Sequence, residues 1–262
     1  MSSLSYAATD SATMLRRNLR HALRYPSMTI STVAMPVVFL LLFDYVFGGT
    51  LGAGIRGVAG GGHYIDFLTP GILVMTAAAT AVSTAVSVSV DMTEGIVNRF
   101  RTMAISRGSL LTGHVVGSLI QTMLAMAVVA AVALLVGFRP ETGPARWAAA
   151  AGLLAMLAFA LTWLAVALGM VAGSPETASN LPLPLTFLPF LGSGFVPTGS
   201  MPAGLREFAA HQPFTPVIDT VRALLIGGPL GESAVVAVAW CAAIALAGYV
   251  WARLSFERRP AR

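Results

Sequence analysis

Six apolar stretches, near residues 28–47, 64–90, 109–137, 147–172, 178–196 and 232–252, decide most of what this chain can fold into. Each approaches the roughly 20 residues that a helix needs to cross ~30 Å of hydrocarbon. Hydrocarbon supplies no hydrogen-bond partners, so a spanning segment must satisfy its own backbone, and a helix does this internally. The stretches are rich in Ala and Leu, which favour helix, whereas a membrane β-barrel shows shorter, alternating segments. Only 10% of the residues are charged, against about 25% in a typical soluble domain. The expected fold is all-α: a polytopic membrane protein with six transmembrane helices, an N-terminal amphipathic interfacial helix, and an outer re-entrant segment between helices 5 and 6. We expect one domain over 1–262, with 1–27 a cytoplasmic amphipathic helix, 28–252 the six-helix bundle and 253–262 a cytoplasmic tail.

An even number of spans places both termini on one side, and arginine asymmetry says which. If the termini are cytoplasmic, eleven arginines lie inside (16, 17, 20, 24, 99, 101, 107, 253, 258, 259 and 262) and five outside (56, 139, 146, 206 and 222). The positive-inside rule therefore favours cytoplasmic termini in a multi-pass protein of the cell inner (plasma) membrane. At the N-terminus, Asp10 is a plausible helix cap. Leu15, Leu19, Ala22 and Leu23 form one stripe and Arg16, Arg20 and Arg24 another, as in a helix lying in the membrane interface. Pro26 ends it. A cleaved or twin-arginine signal competes for this region, but the apolar run is long for one and no small-residue site closes it.

Two stretches interrupt the apolar pattern. Residues 91–107 read DMTEGIVNRFRTMAISR. On a helical wheel Ile96, Phe100 and Met103 share a face, with Arg99 and Arg101 flanking it, which describes a short amphipathic helix on the cytoplasmic surface. A lipid-hugging loop with snorkelling arginines is the other reading. Farther on, Pro182, Pro184, Pro189, Pro197, Pro202, Pro213 and Pro216 break an apolar region in which continuous helix is not expected. Short helices near 203–211 and 216–226 fit there, and Asp219 and Arg222 are spaced to pair on one of them.

Chemistry is sparse. All sixteen basic residues are arginine, so the chain has no Walker A lysine, and ATP chemistry must come from another polypeptide. His21, His63, His114 and His211 are scattered without metal-ligand spacing, and an interfacial polar role is expected for each. Cys241, alone, reads as a small buried hydrophobe. Ser83, Ser87 and Gly169 are candidates for close helix packing. Phe39, Phe43 and Met75 are candidates either for an apolar cavity or for ordinary packing. Asp44, late in the first span, is the carboxylate that bears on an ion-driven mechanism. Nothing suggests nucleic acid as a partner.

The arrangement resembles the ABC-2 type transporter permeases, in the branch of daunorubicin-resistance export permeases. One carrier of the resemblance is Glu94-Gly95-Ile96-Val97-Asn98-Arg99-Phe100-Arg101 with Met103, Ile105 and Arg107, which is similar to the family's cytoplasmic coupling helix, often G-x-x-x-R-F-R. The other is Phe195 through Pro202, then Gln212-Pro213-Phe214-Thr215-Pro216 and 221–228, similar to the family's outer re-entrant segment; relatives commonly have Asn-Pro where this chain has Gln212-Pro213. The resemblance implies a non-enzymatic transport subunit that exports hydrophobic or amphipathic compounds, such as a drug, an antibiotic or a lipid. It implies a cytoplasmic ABC ATPase partner carrying the ATP and Mg, membrane lipid around the bundle, and a second permease copy as homodimer or close paralogue. Glu94, Gly95, Arg99, Phe100, Arg101 and Arg107 are the implied coupling residues, and Pro213, Pro216, Asp219 and Arg222 belong to the outer segment. The competing readings are an ion-coupled secondary transporter and a membrane anchor subunit, both without an ATPase.

Overall fold

The computed structural model describes residues 26–55, 63–93 and 107–258, with side chains over 32–52, 63–93 and 114–256. Every regular element among them is helical. Helix α1 (Pro26–Leu41) runs into a π-helical stretch (Leu42–Phe47) and then α2 (Gly48–Ile55). Helices α3 (Tyr64–Thr93), α4 (Arg107–Val136) and α5 (Pro144–Val171) follow. Short pieces come next: α6 (Pro175–Asn180), α7 (Leu183–Phe187) and a 3-10 turn (Leu188–Leu191), then a second 3-10 turn (Thr198–Ser200) and α8 (Ala203–His211). Helices α9 (Phe214–Ile226) and α10 (Ser233–Arg258) complete the chain.

Five helices are long and apolar enough to cross a membrane: Thr32–Gly52, Tyr64–Thr93, His114–Val136, Pro144–Val171 and Ser233–Phe256. They coincide with five of the six expected spans. The expected fifth span, 178–196, is not one continuous helix but the pieces α6, α7 and the 3-10 turn. Its prolines are the reason. Each removes a backbone donor and clashes with the preceding turn, and Pro182, Pro184 and Pro189 fall within eight residues. The N-terminal interfacial helix expected over 1–27 lies outside the described residues, apart from the start of α1.

Helix α3 is the axis of the bundle and is buried along most of its length, as is α5. Small residues permit this. A Cβ on Gly169 of α5 would collide with the Ala85 carbonyl of α3, and one on Gly248 of α10 would come within 2.7 Å of the Leu164 nitrogen of α5. Ser83 and Ser87, expected to serve the same purpose, face outward instead. Trp163 and Tyr249 meet edge to face across the α5–α10 seam at 4.9 Å. Cys241 is buried in that helix as expected.

The broken segment follows α3 from one end to the other. Gly169, just before it, lies against Ala85 and Val88; Gly194, at its far end, lies against Gly71. One residue later the Phe195 carbonyl accepts a 3.1 Å hydrogen bond from the Tyr64 hydroxyl at the first turn of α3. Residues 64 to 88 of an α-helix cover about 36 Å, so the segment travels a distance comparable with a hydrocarbon layer. The large apolar side chains of α1, α4 and α10, such as Met35, Leu124, Leu135, Val235 and Leu246, remain exposed. Water would penalise that surface and lipid does not.

Candidate functional site

Glu94, Gly95, Arg99, Phe100 and Arg101 lie outside the described residues. Arg107 opens α4, but its side chain is likewise outside them. The two arms that carry the segment are described, and they are tied together. Asp91, in the last turn of α3, and His114, two turns into α4, are both buried, with His114 Nε2 2.9 Å from Asp91 Oδ2. Farther along the seam, the Thr122 hydroxyl donates to the Thr80 hydroxyl at 2.9 Å. His114 therefore differs from the interfacial role expected of it. The available sequence signal was that an acid and a histidine close the facing ends of two consecutive apolar stretches. His63 and His211 are exposed.

At the Tyr64 end of α3 a second polar cluster forms around α9. Pro213 precedes the helix and Pro216 sits in its first turn, where a missing N–H breaks no helical bond. The helix then presents Asp219 and Arg222 one turn apart, and they pair at 2.7 Å. Arg222 uses its other donors on backbone. Nη2 reaches the Ser193 carbonyl at 2.6 Å, and Nη2 and Nε reach the Phe67 carbonyl at 3.1 and 3.3 Å. Its guanidinium carbon lies 3.9 Å from the Phe67 ring centroid. The Ser193 hydroxyl donates to the same Asp219 oxygen at 2.6 Å. One ion pair thus joins α9, the end of the broken segment and the first turns of α3, where Pro70 withholds a helical hydrogen bond from Asp66.

Three further side chains complete this end; sequence reasoning quoted Gln212 within the outer-segment resemblance and missed Asp66 and Thr142. Asp66 caps α3, accepting from the His63 backbone at 3.2 Å, and its other oxygen accepts from the Arg139 backbone at 3.1 Å. Thr142, in the same α4–α5 loop, donates to the Leu225 carbonyl at 3.2 Å. Gln212 is buried, donating from Nε2 to the Leu188 carbonyl at 3.2 Å and to the Thr215 hydroxyl at 3.0 Å, while its Oε1 has no partner among the described residues. It fits because Gly192 opposes it: a Cβ there would collide with Gln212 Nε2.

An aromatic row joins α1 to the broken segment. Phe190 and Phe195 stack at 4.4 Å, Phe43 meets Phe195 at 4.8 Å, and Phe39 meets Phe190 at 5.5 Å. Phe39 and Phe43 therefore pack within the subunit, and Met75 is buried. Of the two readings offered for these residues, packing describes this single chain.

Several long apolar helices joined by few polar ties define a multi-pass membrane protein, with no catalytic constellation among the described residues. A family model for the ABC-2 type transporter matches residues 10–226, and the chain belongs to that family. It is 29% identical over 222 residues to the daunorubicin resistance ABC transporter permease protein DrrB1 of Streptomyces coeruleorubidus, covering 84% of this chain and 76% of that one. It is 20% identical over 229 residues to the probable doxorubicin resistance ABC transporter permease protein DrrC of Mycobacterium tuberculosis, covering 87% and 81%.

Proposed function

We propose that the chain is the membrane-spanning permease subunit of an ATP-driven exporter of hydrophobic or amphipathic compounds. The observation that carries this is the family match, which runs unbroken through the 94–107 segment and the outer helices. The absence of lysine agrees with it, because any ATP chemistry must then sit on a second chain. In this reading the broken segment is a sixth crossing, both termini are cytoplasmic, and α8 and α9 dip into the outer leaflet. Backbone that is not helical needs protein around it at that depth, and α7 and the 3-10 turn pack on α3.

Two copies pair in the membrane, and two cytoplasmic ATPase subunits, which bind ATP and Mg, attach beneath them. Closure of the ATPase dimer pushes on the amphipathic helix around Arg99. Ile96, Phe100 and Met103 dock in a groove of the ATPase, while Glu94, Arg99, Arg101 and Arg107 set its orientation. The Asp91–His114 tie then makes α3 and α4 move together, so a push on the turn reaches the helix at the centre of the bundle.

The test is co-purification with the P-loop protein of a neighbouring reading frame, followed by ATP-dependent uptake into inside-out vesicles. The Asp91–His114 pair is also the observation that favours ion coupling, since it is a buried titratable pair between two long apolar helices. Cargo movement by the isolated chain on an ion gradient alone would establish that alternative instead.

A further inference from the structure

Along α3, the exposed residues are Ser83, Ser87 and the terminal Thr93; the others are buried or half-buried. The wall of the central helix therefore opens at hydroxyl groups. The exposed residues of α4 from 114 to 136 are all apolar, Leu124, Val128 and Leu135 among them, as contact with lipid requires. Helical spacing places the polar opening beside α4. Asp91 and Thr80 mark the side of α3 that faces α4, and His114 and Thr122 the side of α4 that faces α3. At about 100° per residue, Ser87 and Ser83 lie about 40° and 80° around α3 from Asp91, and Gln121 lies about 20° around α4 from His114. The two helices run antiparallel, so these displacements turn toward the same open side of the pair. Ser118 lies between His114 and Thr122 on that seam, and both it and Gln121 are half-buried. None of the four side chains makes a hydrogen bond to a described residue, although Thr80, Thr84 and Thr122 beside them each donate to a helix carbonyl. A serine facing hydrocarbon can close on the carbonyl one turn back, and a carboxamide left without partners there is costly. The polar atoms of these four residues are accessible, not sealed inside the packing.

We infer that the α3–α4 seam carries a water-filled cleft, lined by Ser83, Ser87, Ser118 and Gln121 and bounded by the Asp91–His114 and Thr80–Thr122 ties. Water fits because Ser118 and Gln121 are recessed beside the exposed serines, where a small molecule that both donates and accepts can reach them. An acyl chain can do neither. Ser87 and Ser83 lie about 9 and 15 Å along α3 from Thr93, so the cleft brings water that far into the apolar layer. Hydration itself does not depend on the exporter reading. Its biological meaning does: within that reading the cleft is a wet path for the polar end of an amphipathic compound.

The full chain in sealed vesicles, without nucleotide, is treated with the membrane-impermeant thiol reagent MTSET, against the parent, whose Cys241 is buried. Ser83→Cys, Ser87→Cys and Gln121→Cys are compared with Leu124→Cys and Val128→Cys on the apolar face of α4. Serine to cysteine changes one atom, so the first two variants are expected to fold even if Gln121→Cys does not. Ser83→Cys and Ser87→Cys are expected to react at least tenfold faster than the apolar-face variants, from the same side of the vesicle as Glu176→Cys. Adding Gln121→Leu to Ser83→Cys is expected to slow the reaction at least threefold, because an apolar side chain dries the cleft. Rates at Ser83→Cys and Ser87→Cys no greater than at Leu124→Cys and Val128→Cys overturn the inference. So does oxidative cross-linking of Ser83→Cys between two copies, which would show that protein and not water covers the opening. ATP-driven export that persists beside either result leaves the exporter reading intact. Fast labelling in a chain that moves its cargo only on an ion gradient keeps the cleft and removes the exporter.

Discussion

Arg222 holds the carbonyl of Phe67, 155 residues earlier in the chain, with two of its nitrogens, and lies over the ring of that same residue. A single guanidinium therefore secures both the backbone and the side chain at the start of α3. Its fork of donors also serves Ser193 and Asp219. Lysine, with one compact ammonium, cannot reproduce that planar set. Arg222→Lys should thus lose most of what Arg222→Ala loses, about 2–4 kcal/mol, because carbonyls at Phe67 and Ser193 are left without a charged donor. Asp219→Asn should lose less, about 1 kcal/mol, since the carboxylate is more exposed than its partner. Thermal unfolding of the three variants in detergent checks the ranking; an Arg222→Lys protein as stable as the parent would contradict it.

Helix packing gives a contrast between glycines. A Cβ on Gly71 would come 2.6 Å from Gly194 Cα, whereas one on Gly152 in α5 meets nothing within 4 Å. Gly71→Ala must push the broken segment away from α3 and is expected to lower stability by about 2 kcal/mol or more. Gly152→Ala should raise it by about 0.5–1 kcal/mol, the ordinary gain of alanine within a helix. Melting temperatures in the same detergent measure both, and opposite signs are expected.

The Asp91–His114 tie predicts energetic coupling between two residues on different helices. His114→Ala and Asp91→Asn should each destabilise the protein by about 1–3 kcal/mol, and the double variant should lose clearly less than the sum. A double-mutant cycle by unfolding checks this. Additive losses would mean that the two side chains act independently despite their 2.9 Å separation.

Coupling to the ATPase is tested by Arg101→Glu. Reversing that charge should reduce ATP-dependent transport at least tenfold and weaken ATPase association, with membrane insertion unchanged. Pull-down and vesicle uptake are the measurements, and unaltered values for both would remove Arg101 from the coupling surface.

Topology can be read by labelling, because Cys241 is buried and leaves a quiet background. Glu207→Cys in α8 should react with a membrane-impermeant maleimide added outside, and Glu176→Cys, at the start of the broken segment, only from inside. Both positions are exposed. Reaction of the two from the same face would remove the sixth crossing, since residues 172–195 would then not separate α5 from the outer helices.

The five continuous helices were legible in the sequence to within a few residues because each is a long apolar run, and a run of that length has one solution in hydrocarbon. The pieces near 203–211 and 216–226 were legible too, since prolines and a glycine mark their ends; Gly227, at φ +104°, stops α9 as glycine does at a helix C-terminus. The Asp219–Arg222 pair followed from helical spacing alone. Local signals of this kind depend on residues within one or two turns of each other. Only the tertiary structure could place Arg222 on Phe67, Asp66 on the Arg139 backbone, Gln212 opposite Gly192 and His114 against Asp91. Each of those joins chain positions separated by 20 to 155 residues, and their meeting is decided by how the helices pack, which depends on shape at glycines and prolines rather than on any period in the sequence.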